Sequence, residues 1–219
     1  NDGSNPRETE HNFGTVTEDR KPKPAYLAAR TLASVLGRTS FARRLKGAPE
    51  DHFLVFEEAS VEKLAAWTEG APHPVAMGVP GWSGTVQLTA FTGAVSPAEA
   101  KDGFLDLRLE DRPVYLDLPV GSGGLAVHGL SADLFADHVR VRTHRGGPGA
   151  ADGAVTVEIG TGELRTKVGL KVALDEARDE SAEFPASWSI SSPARLSVSL
   201  LDVSTPRLLA ALPEISCAA

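Results

Sequence analysis

The spacing of apolar positions changes once along the chain, near residue 40. Before that point apolar residues recur every three to four positions, at Tyr26, Ala29, Ala33 and Leu36. This is the period of an amphipathic helix. Pro24 suits the first helical turn and Gly37 the C-terminal cap. The pattern therefore predicts one long helix over residues 22–37, preceded by an irregular, turn-rich loop over residues 1–21.

After residue 40 the apolar positions alternate with polar ones, as in half-buried strands. Strands are predicted before the glycine-rich run 121–124 at Ser40–Lys46, Asp51–Glu57, Val61–Thr68, Val75–Val79, Thr85–Phe91, Gly103–Leu109 and Pro113–Leu118. After that run they are predicted at Leu125–Leu130, His138–His144, Ala154–Ile159, Leu164–Leu174, Ala186–Ile190 and Arg195–Val203. Residues 145–153 are expected to be a loop, and Leu208–Leu212 a short helical turn. Residues 175–183 form an acidic run. Short strands at this spacing predict a mainly β fold made of antiparallel β-sandwich domains. We expect three parts: 1–38, a β-sandwich at 39–119 and a second β-rich domain at 120–219.

Charge and composition exclude several classes of protein. The 219 residues carry 22 Lys and Arg against 29 Asp and Glu, a net charge of −7. This acidic balance argues against nucleic acid as a partner, because phosphate binding needs clustered basic residues. No apolar run approaches the roughly 20 residues of a membrane helix, so we expect no membrane partner. The single cysteine, Cys217, excludes an internal disulfide and a Cys-based metal site.

The histidines and serines form no recognisable metal or nucleophile motif. His138 and His144 lie on one predicted strand about 20 Å apart, too far to share an ion. Ser83 and Ser122 do not sit in a nucleophile elbow between a strand and a helix. We therefore predict no metal site and no cofactor.

A glycosidase needs two carboxylates facing each other across a sugar-binding cleft. The acidic pairs Glu57-Glu58 and Asp175-Glu176 fall at predicted turns, where solvated side chains are the ordinary outcome. We predict no catalytic residue in this chain.

Two places remain as candidate sugar contacts. Trp67 alternates with apolar neighbours and is expected in the core, and Trp188 is undecided, whereas Trp82 lies in a turn where it could stack on a sugar. The opening loop concentrates hydrogen-bonding side chains, and the predicted substrate-binding residues there are Asp2, Glu10, His11 and Asn12. The alternative for this loop is a solvated chain end.

The residues of the opening loop and helix match a known junction. The motifs are NDGSNP at residues 1–6, EHNFG at 10–14 and KPKPAY at 21–26, with FLVFE, AAWT and PVYL in the strands beyond. This run resembles the end of the catalytic (β/α)8 barrel, with its adjoining β-sandwich, in retaining glycoside hydrolases of the β-xylosidase and exopolysaccharide-hydrolase type, a family 39-like group. The resemblance covers about residues 1–118. It implies that residues 1–38 are the last loop and helix of a barrel, and that the opening-loop residues lie at the rim of its active site.

The resemblance implies a function for the parent protein. It implies that the chain is the C-terminal, non-catalytic portion of an extracellular or periplasmic glycoside hydrolase acting on oligosaccharides or polysaccharides. Carbohydrate and a catalytic barrel N-terminal to Asn1 are then the expected partners, because the family's two glutamates lie on earlier barrel strands. The alternatives are a carbohydrate-binding β-sandwich module that uses Trp82, or a domain that binds another protein through its helix.

Overall fold

The computed structural model describes most of the chain. The described residues are 7, 14–17, 19–58, 61–79, 82–119, 124–135, 138–147, 150–161, 164–175, 180–185, 194–203, 207–212 and 214–217. Among them α1, Pro24–Leu36, is the only helix, and every strand pairing is antiparallel. The predicted mainly β fold class with one preceding helix is confirmed.

Helix α1 forms where the sequence predicts it. Proline occupies its first turn, where the missing N–H costs no hydrogen bond. The N–H of Gly37 donates to the carbonyl of Ala33 at 3.0 Å and closes the C-terminal end. Among the described residues no helix has the length and apolar character needed to span a membrane.

Eight strands lie in the described residues of the first half of the fold. They are β1 (Ser40–Leu45), β2 (Asp51–Glu58), β3 (Val61–Thr68), β4 (His73–Gly78), β5 (Gly84–Ala90), β6 (Val95–Lys101), β7 (Phe104–Leu109) and β8 (Val114–Pro119). Seven match the predicted strands to within two residues at either end, and β6 was not predicted. Pro97 lies in β6 opposite Gln87 of β5, and the pairing of β6 with β7 is confined to Ala100 and Lys101. The proline therefore sits where the second edge of the strand is open, so its missing N–H disrupts no ladder.

The second half contains the remaining strands. They are β9 (Ala126–Leu134), β10 (His138–Gly146), β11 (Ala150–Thr161), β12 (Leu164–Asp175), β13 (Glu180–Pro185), β14 (Ala194–Asp202), β15 (Leu208–Ala211) and β16 (Ile215–Cys217). The helical turn predicted at residues 208–212 is wrong, because β15 pairs with β14 there. The end of the acidic run at residues 175–183 lies in β13, which pairs with β10. The strand predicted at residues 186–190 lies outside the described residues.

The strands join into one hydrogen-bonded network around two hydrophobic cores. The main path runs β1-β2-β3-β8-β5-β6-β7-β4-β15-β14-β11-β12, with β9, β10, β13 and β16 attached beside it. One core includes Phe53 and Leu116, and the other includes Phe184 and Leu200. Strand β4 serves both, because Val75 and Met77 lie in the first core while Ala76 lies in the second. The boundary near residue 119 between two domains stays a prediction.

Candidate functional site

Helix α1 rests on the first sheet through a small polar contact. Within α1 the buried residue is Thr31. It faces the β5–β6 turn at Gly93, where an added Cβ would lie 3.1 Å from the Thr31 Oγ1. Gly93 also has φ +92°, a conformation that favours glycine. A groove of about 410 Å³ runs beneath the helix, and its walls include Arg30, Lys63 and Asp117.

The outer face of α1 is apolar and uncovered by the described residues. We define this face by its exposed residues Ala25, Tyr26, Ala29, Leu32 and Ala33. Tyr26 is 39% exposed and Leu32 is 49% exposed. The other side of the helix, with Leu27, Thr31 and Val35, is at least partly buried, so α1 carries apolar side chains on both faces.

Of the five predicted substrate-binding residues, the structure describes Trp82 alone. Asp2, Glu10, His11 and Asn12 lie outside the described residues. Trp82 is half-buried and packs against the first core. Its indole ring lies over Gly84, where an added Cβ would approach the Trp82 Cζ2 to 3.0 Å. A role for Trp82 in sugar binding stays a prediction.

Trp67 is not part of either core, contrary to the expectation from its apolar neighbours. It is half-buried and stacks on His52, with ring centroids 4.6 Å apart and an interplanar angle of 11°. The Arg44 guanidinium lies 3.2 Å from the His52 Nδ1, and the His52 Nε2 lies 3.1 Å from the Glu69 carboxylate. Because His52 is paired opposite Trp67 across β2 and β3, the register puts both rings on the face opposite Phe53.

A buried ion pair lies where the two halves of the fold meet. The His73 Nε2 is 3.1 Å from the Asp51 Oδ2, and the His73 Nδ1 is 2.9 Å from the Ala71 carbonyl oxygen. Both ring nitrogens therefore face acceptors, which is the arrangement of a doubly protonated imidazolium. Burial of the ring alone would lower the pKa of His73, but the hydrogen bonds to Asp51 and Ala71 and the nearby carboxylates raise it above its ordinary value.

Asp51 and His73 line a cavity of about 520 Å³, here called the junction cavity. Its wall comes from the β1–β2 connection, the β3–β4 connection, β9, β10 and the segment around β15. The lining residues are Ala48, Pro49, Glu50, Asp51, Ala71, His73, Leu130, Ser131, Ala132, Asp133, Arg142, Leu212 and Glu214. Sequence reasoning missed this site. The available signal was an acid and a histidine that each open an apolar strand.

A second buried histidine is held neutral. The Arg145 guanidinium donates a hydrogen bond to the His128 Nε2, and both residues are buried. Burial and the charge of Arg145 lower the pKa of His128 to about 4, while Asp202 and the backbone of Ala76 act in the opposite direction. His128 is therefore a hydrogen-bond acceptor inside the fold at neutral pH.

The other groups weighed from the sequence form no catalytic arrangement within the described residues. Glu57 lies 3.5 Å from Arg43, and Glu58 lies 3.9 Å from Lys63, so both acids have a cationic neighbour. Glu176 lies outside the described residues. No three His, Cys, Asp or Glu side chains in the described part of the chain converge as a metal site would require.

The predicted distance between His138 and His144 agrees with their places on β10. His138 stacks on Phe135 with ring centroids 4.3 Å apart. His144 is buried, and its Nε2 lies 2.9 Å from the Ser131 Oγ. The His138 and His144 rings therefore contact different residues and share none of these partners.

Comparison with known proteins gives partial similarities. No protein-family profile and no curated protein matches the chain. A solved family 39 glycoside hydrolase from Bacteroides cellulosilyticus WH2 is 32% identical over 54% of this chain, with a TM-score of 0.47. A β-glucuronidase from Bacteroides uniformis matches 74% of the chain at 10% identity and TM-score 0.29, and covers 26% of that enzyme. The chicken interferon gamma receptor alpha chain matches 82% at 10% identity and TM-score 0.31, with 97% of the receptor chain covered.

The matched structures thus include glycoside hydrolases, and this chain spans 24% of the length of the family 39 enzyme. All three TM-scores are below 0.5.

Proposed function

We propose that this chain is the C-terminal, non-catalytic portion of a glycoside hydrolase that acts on oligosaccharides or polysaccharides. In this proposal α1 is the last helix of a catalytic (β/α)8 barrel, and the strands form an accessory β region beside it. The residues at 1–6, 10–14 and 21–26 support the proposal, because they match the loop and helix start of that junction.

The observation that carries the proposal is the outer face of α1. Full burial of a large apolar side chain stabilises a fold by about 1.5–3 kcal/mol, so an exposed stripe with Tyr26 and Leu32 favours a covering partner. A barrel helix has this character, since it packs on neighbouring helices and strands of the barrel. The polar contact at Thr31 would then serve as the joint between barrel and sandwich.

Catalysis belongs to the barrel in this proposal. The two carboxylates that protonate and attack the glycosidic bond come from barrel strands, and the opening-loop residues Asp2, Glu10, His11 and Asn12 form part of the rim. An enzyme of this kind works where its polymer is found, which is the basis for proposing an extracellular or periplasmic location.

Intact-mass measurement of the natural protein under denaturing conditions tests the proposal. We expect a polypeptide much larger than 23.0 kDa, or a second chain that co-purifies with this one, together with activity on glycosides. A natural product that consists of a single 23.0 kDa chain without glycosidase activity would exclude the proposal and favour a binding module.

A further inference from the structure

The junction cavity is built by segments far apart in the chain. Ala48 and Asp51 come from the β1–β2 side, Ala71 from the β3–β4 connection, and Ala132 from β9. Leu212 completes the wall after β15. A cavity of about 520 Å³ shared by both halves of the fold lies within the size range of small-molecule sites.

One polar group in the cavity wall lacks a partner. Asp51 is 1% exposed, and its Oδ2 is bound to His73. Its Oδ1 is buried and has no hydrogen-bond partner among the described residues. Leaving a buried carboxylate oxygen unsatisfied is costly, so an O–H or N–H donor at this wall would stabilise the protein.

The charges around the cavity are largely compensated. Asp51 is paired with His73, and Asp133 is paired with Arg142 at 2.7 Å. Glu214 is paired with Arg195 at 3.0 Å. Glu50 adds one more carboxylate to the lining, so the wall has a small negative excess that disfavours an anion. Hydrogen-bond acceptors and donors lie side by side in it, which suits a neutral ligand with hydroxyl groups.

Among the described lining residues, Ala48, Pro49, Ala71, Leu130, Ala132 and Leu212 are apolar, and none of these six carries an aromatic ring. These alanine, proline and leucine side chains present small C–H surfaces between the polar groups. A sugar has the same mixture, with hydroxyl groups that both donate and accept and C–H faces between them.

We infer that the junction cavity binds a neutral saccharide of one or two rings through its hydroxyl groups. The choice of a saccharide among neutral polyols rests on the proposed function. The cavity and its polar lining are features of the structure and do not depend on that proposal. This site is separate from Trp82, whose ring packs on the first core and is absent from the cavity wall.

Isothermal titration calorimetry on the 219-residue chain tests the inference with four probes. Xylobiose and cellobiose are the neutral saccharides, spermidine is a cation, and glucuronate is an anion. We expect one or both neutral disaccharides to bind and neither ion to bind. Binding of spermidine or glucuronate alone, or of no probe, would overturn the inference.

A cavity-filling variant and a matched control locate the binding. Ala132→Leu adds volume to the wall without removing a polar group and should weaken disaccharide binding by about tenfold or more. Ala94→Leu makes the same change at an exposed turn and should leave binding unchanged. Undiminished binding by a folded Ala132→Leu, or loss of binding in Trp82→Ala alone, would overturn the inference.

Should Ala132→Leu fail to fold, Asp133→Asn replaces it. This side chain is 41% exposed, so the substitution should cost little stability while removing a charged acceptor from the wall. We expect weaker disaccharide binding here too, and unchanged binding would count against the site.

The outcome is independent of the intact-mass test. Absence of saccharide binding by the chain, with a barrel present in the natural protein, rejects the inference and keeps the proposed function. Cavity-dependent binding by a protein that has no barrel rejects the proposed function and keeps the site.

Discussion

The His73 Nε2 lies 3.1 Å from the Asp51 Oδ2, although the two residues are 22 positions apart in the chain. Asp51 opens β2 and His73 opens β4, and neither side chain is more than a tenth exposed. The pair links the first residues of β2 and β4 at the edge of the junction cavity. We therefore expect the free energy of unfolding to depend on the charge state of this pair.

The first prediction concerns alkaline pH. The folded-state pKa of His73 is raised, so protonation of this ring stabilises the fold. That contribution is fully present below the unfolded value near 6.5 and is lost as the pH rises through the folded value. Urea unfolding at a series of pH values from 5.5 to 9 should show this loss in the native chain and not in His73→Gln. Parallel curves for the two proteins would contradict the assignment.

The second prediction concerns removal of the acid. Asp51→Asn leaves a buried imidazolium without its carboxylate and should lower the free energy of unfolding by about 3 kcal/mol or more. The matched control is Asp117→Asn, which breaks the half-exposed pair with Lys63 and should cost less than about 1 kcal/mol. Chemical denaturation of both variants at pH 6 measures the difference, and equal effects would show that the Asp51 pair contributes little.

The third prediction concerns acid. The pKa of His128 is lowered to about 4, so the unfolded chain binds this proton more readily than the folded one. Stability from this group is present above pH 6.5 and is lost as the pH falls toward 4, with a full loss on the order of 3 kcal/mol. Titration of the His128 ring by NMR should show no protonation until the pH approaches 4. A midpoint near 6.5 would refute the buried, Arg145-bound state.

The fourth prediction concerns two glycines. Gly147 has φ +110°, and an added Cβ would lie 2.0 Å from the Leu125 carbonyl oxygen. Gly147→Ala should therefore destabilise the fold by more than about 2 kcal/mol, because backbone has to move. At Gly169 the nearest atoms to an added Cβ are 3.8 Å away, so Gly169→Ala should change stability by less than about 0.5 kcal/mol. Melting temperatures of the two variants make the comparison.

The fifth prediction follows from the proposed function. Leu32→Glu replaces an exposed apolar side chain on the outer face of α1 and should leave the stability of the isolated chain within about 0.5 kcal/mol. In the intact enzyme the same change buries a charge and should lower the melting temperature. Leu170→Glu, at a 41% exposed position of β12, is the control and should leave both proteins unaffected. Equal behaviour of Leu32→Glu in both settings would argue against a barrel on this face.

Local pattern accounts for the part of the fold that the sequence predicts. Helix α1 and seven of the first eight strands lie where the spacing of apolar residues predicts them, because that spacing matches the period of each kind of backbone. Strand β6 was missed since all but one of its residues are at least partly exposed, and it contains a proline. The apolar run at residues 208–212 has no clear period, so its spacing does not distinguish helix from strand. It forms a strand because it pairs with β14.

The junction cavity is lined by residues that are far apart in the sequence, so no local sequence motif predicts it. Asp51 and His73 look like ordinary polar residues at strand starts until the sheet brings those starts together. The sequence pattern places Trp67 in the core, which is wrong for a related reason. Its neighbours are apolar, but the β2–β3 register places it beside His52 on the outward face.

The position of strand β4 between the two cores affects how the protein unfolds. It pairs with β7 along one edge and with β9 and β15 along the other, while its alternating side chains enter both cores. If either core is lost, one face of β4 loses its packing. The strand then packs less firmly against the other core. We therefore expect the two halves of the fold to unfold in a single cooperative transition, and a chain cut near residue 119 would leave the second half without β4 as a neighbour of β9 and β15.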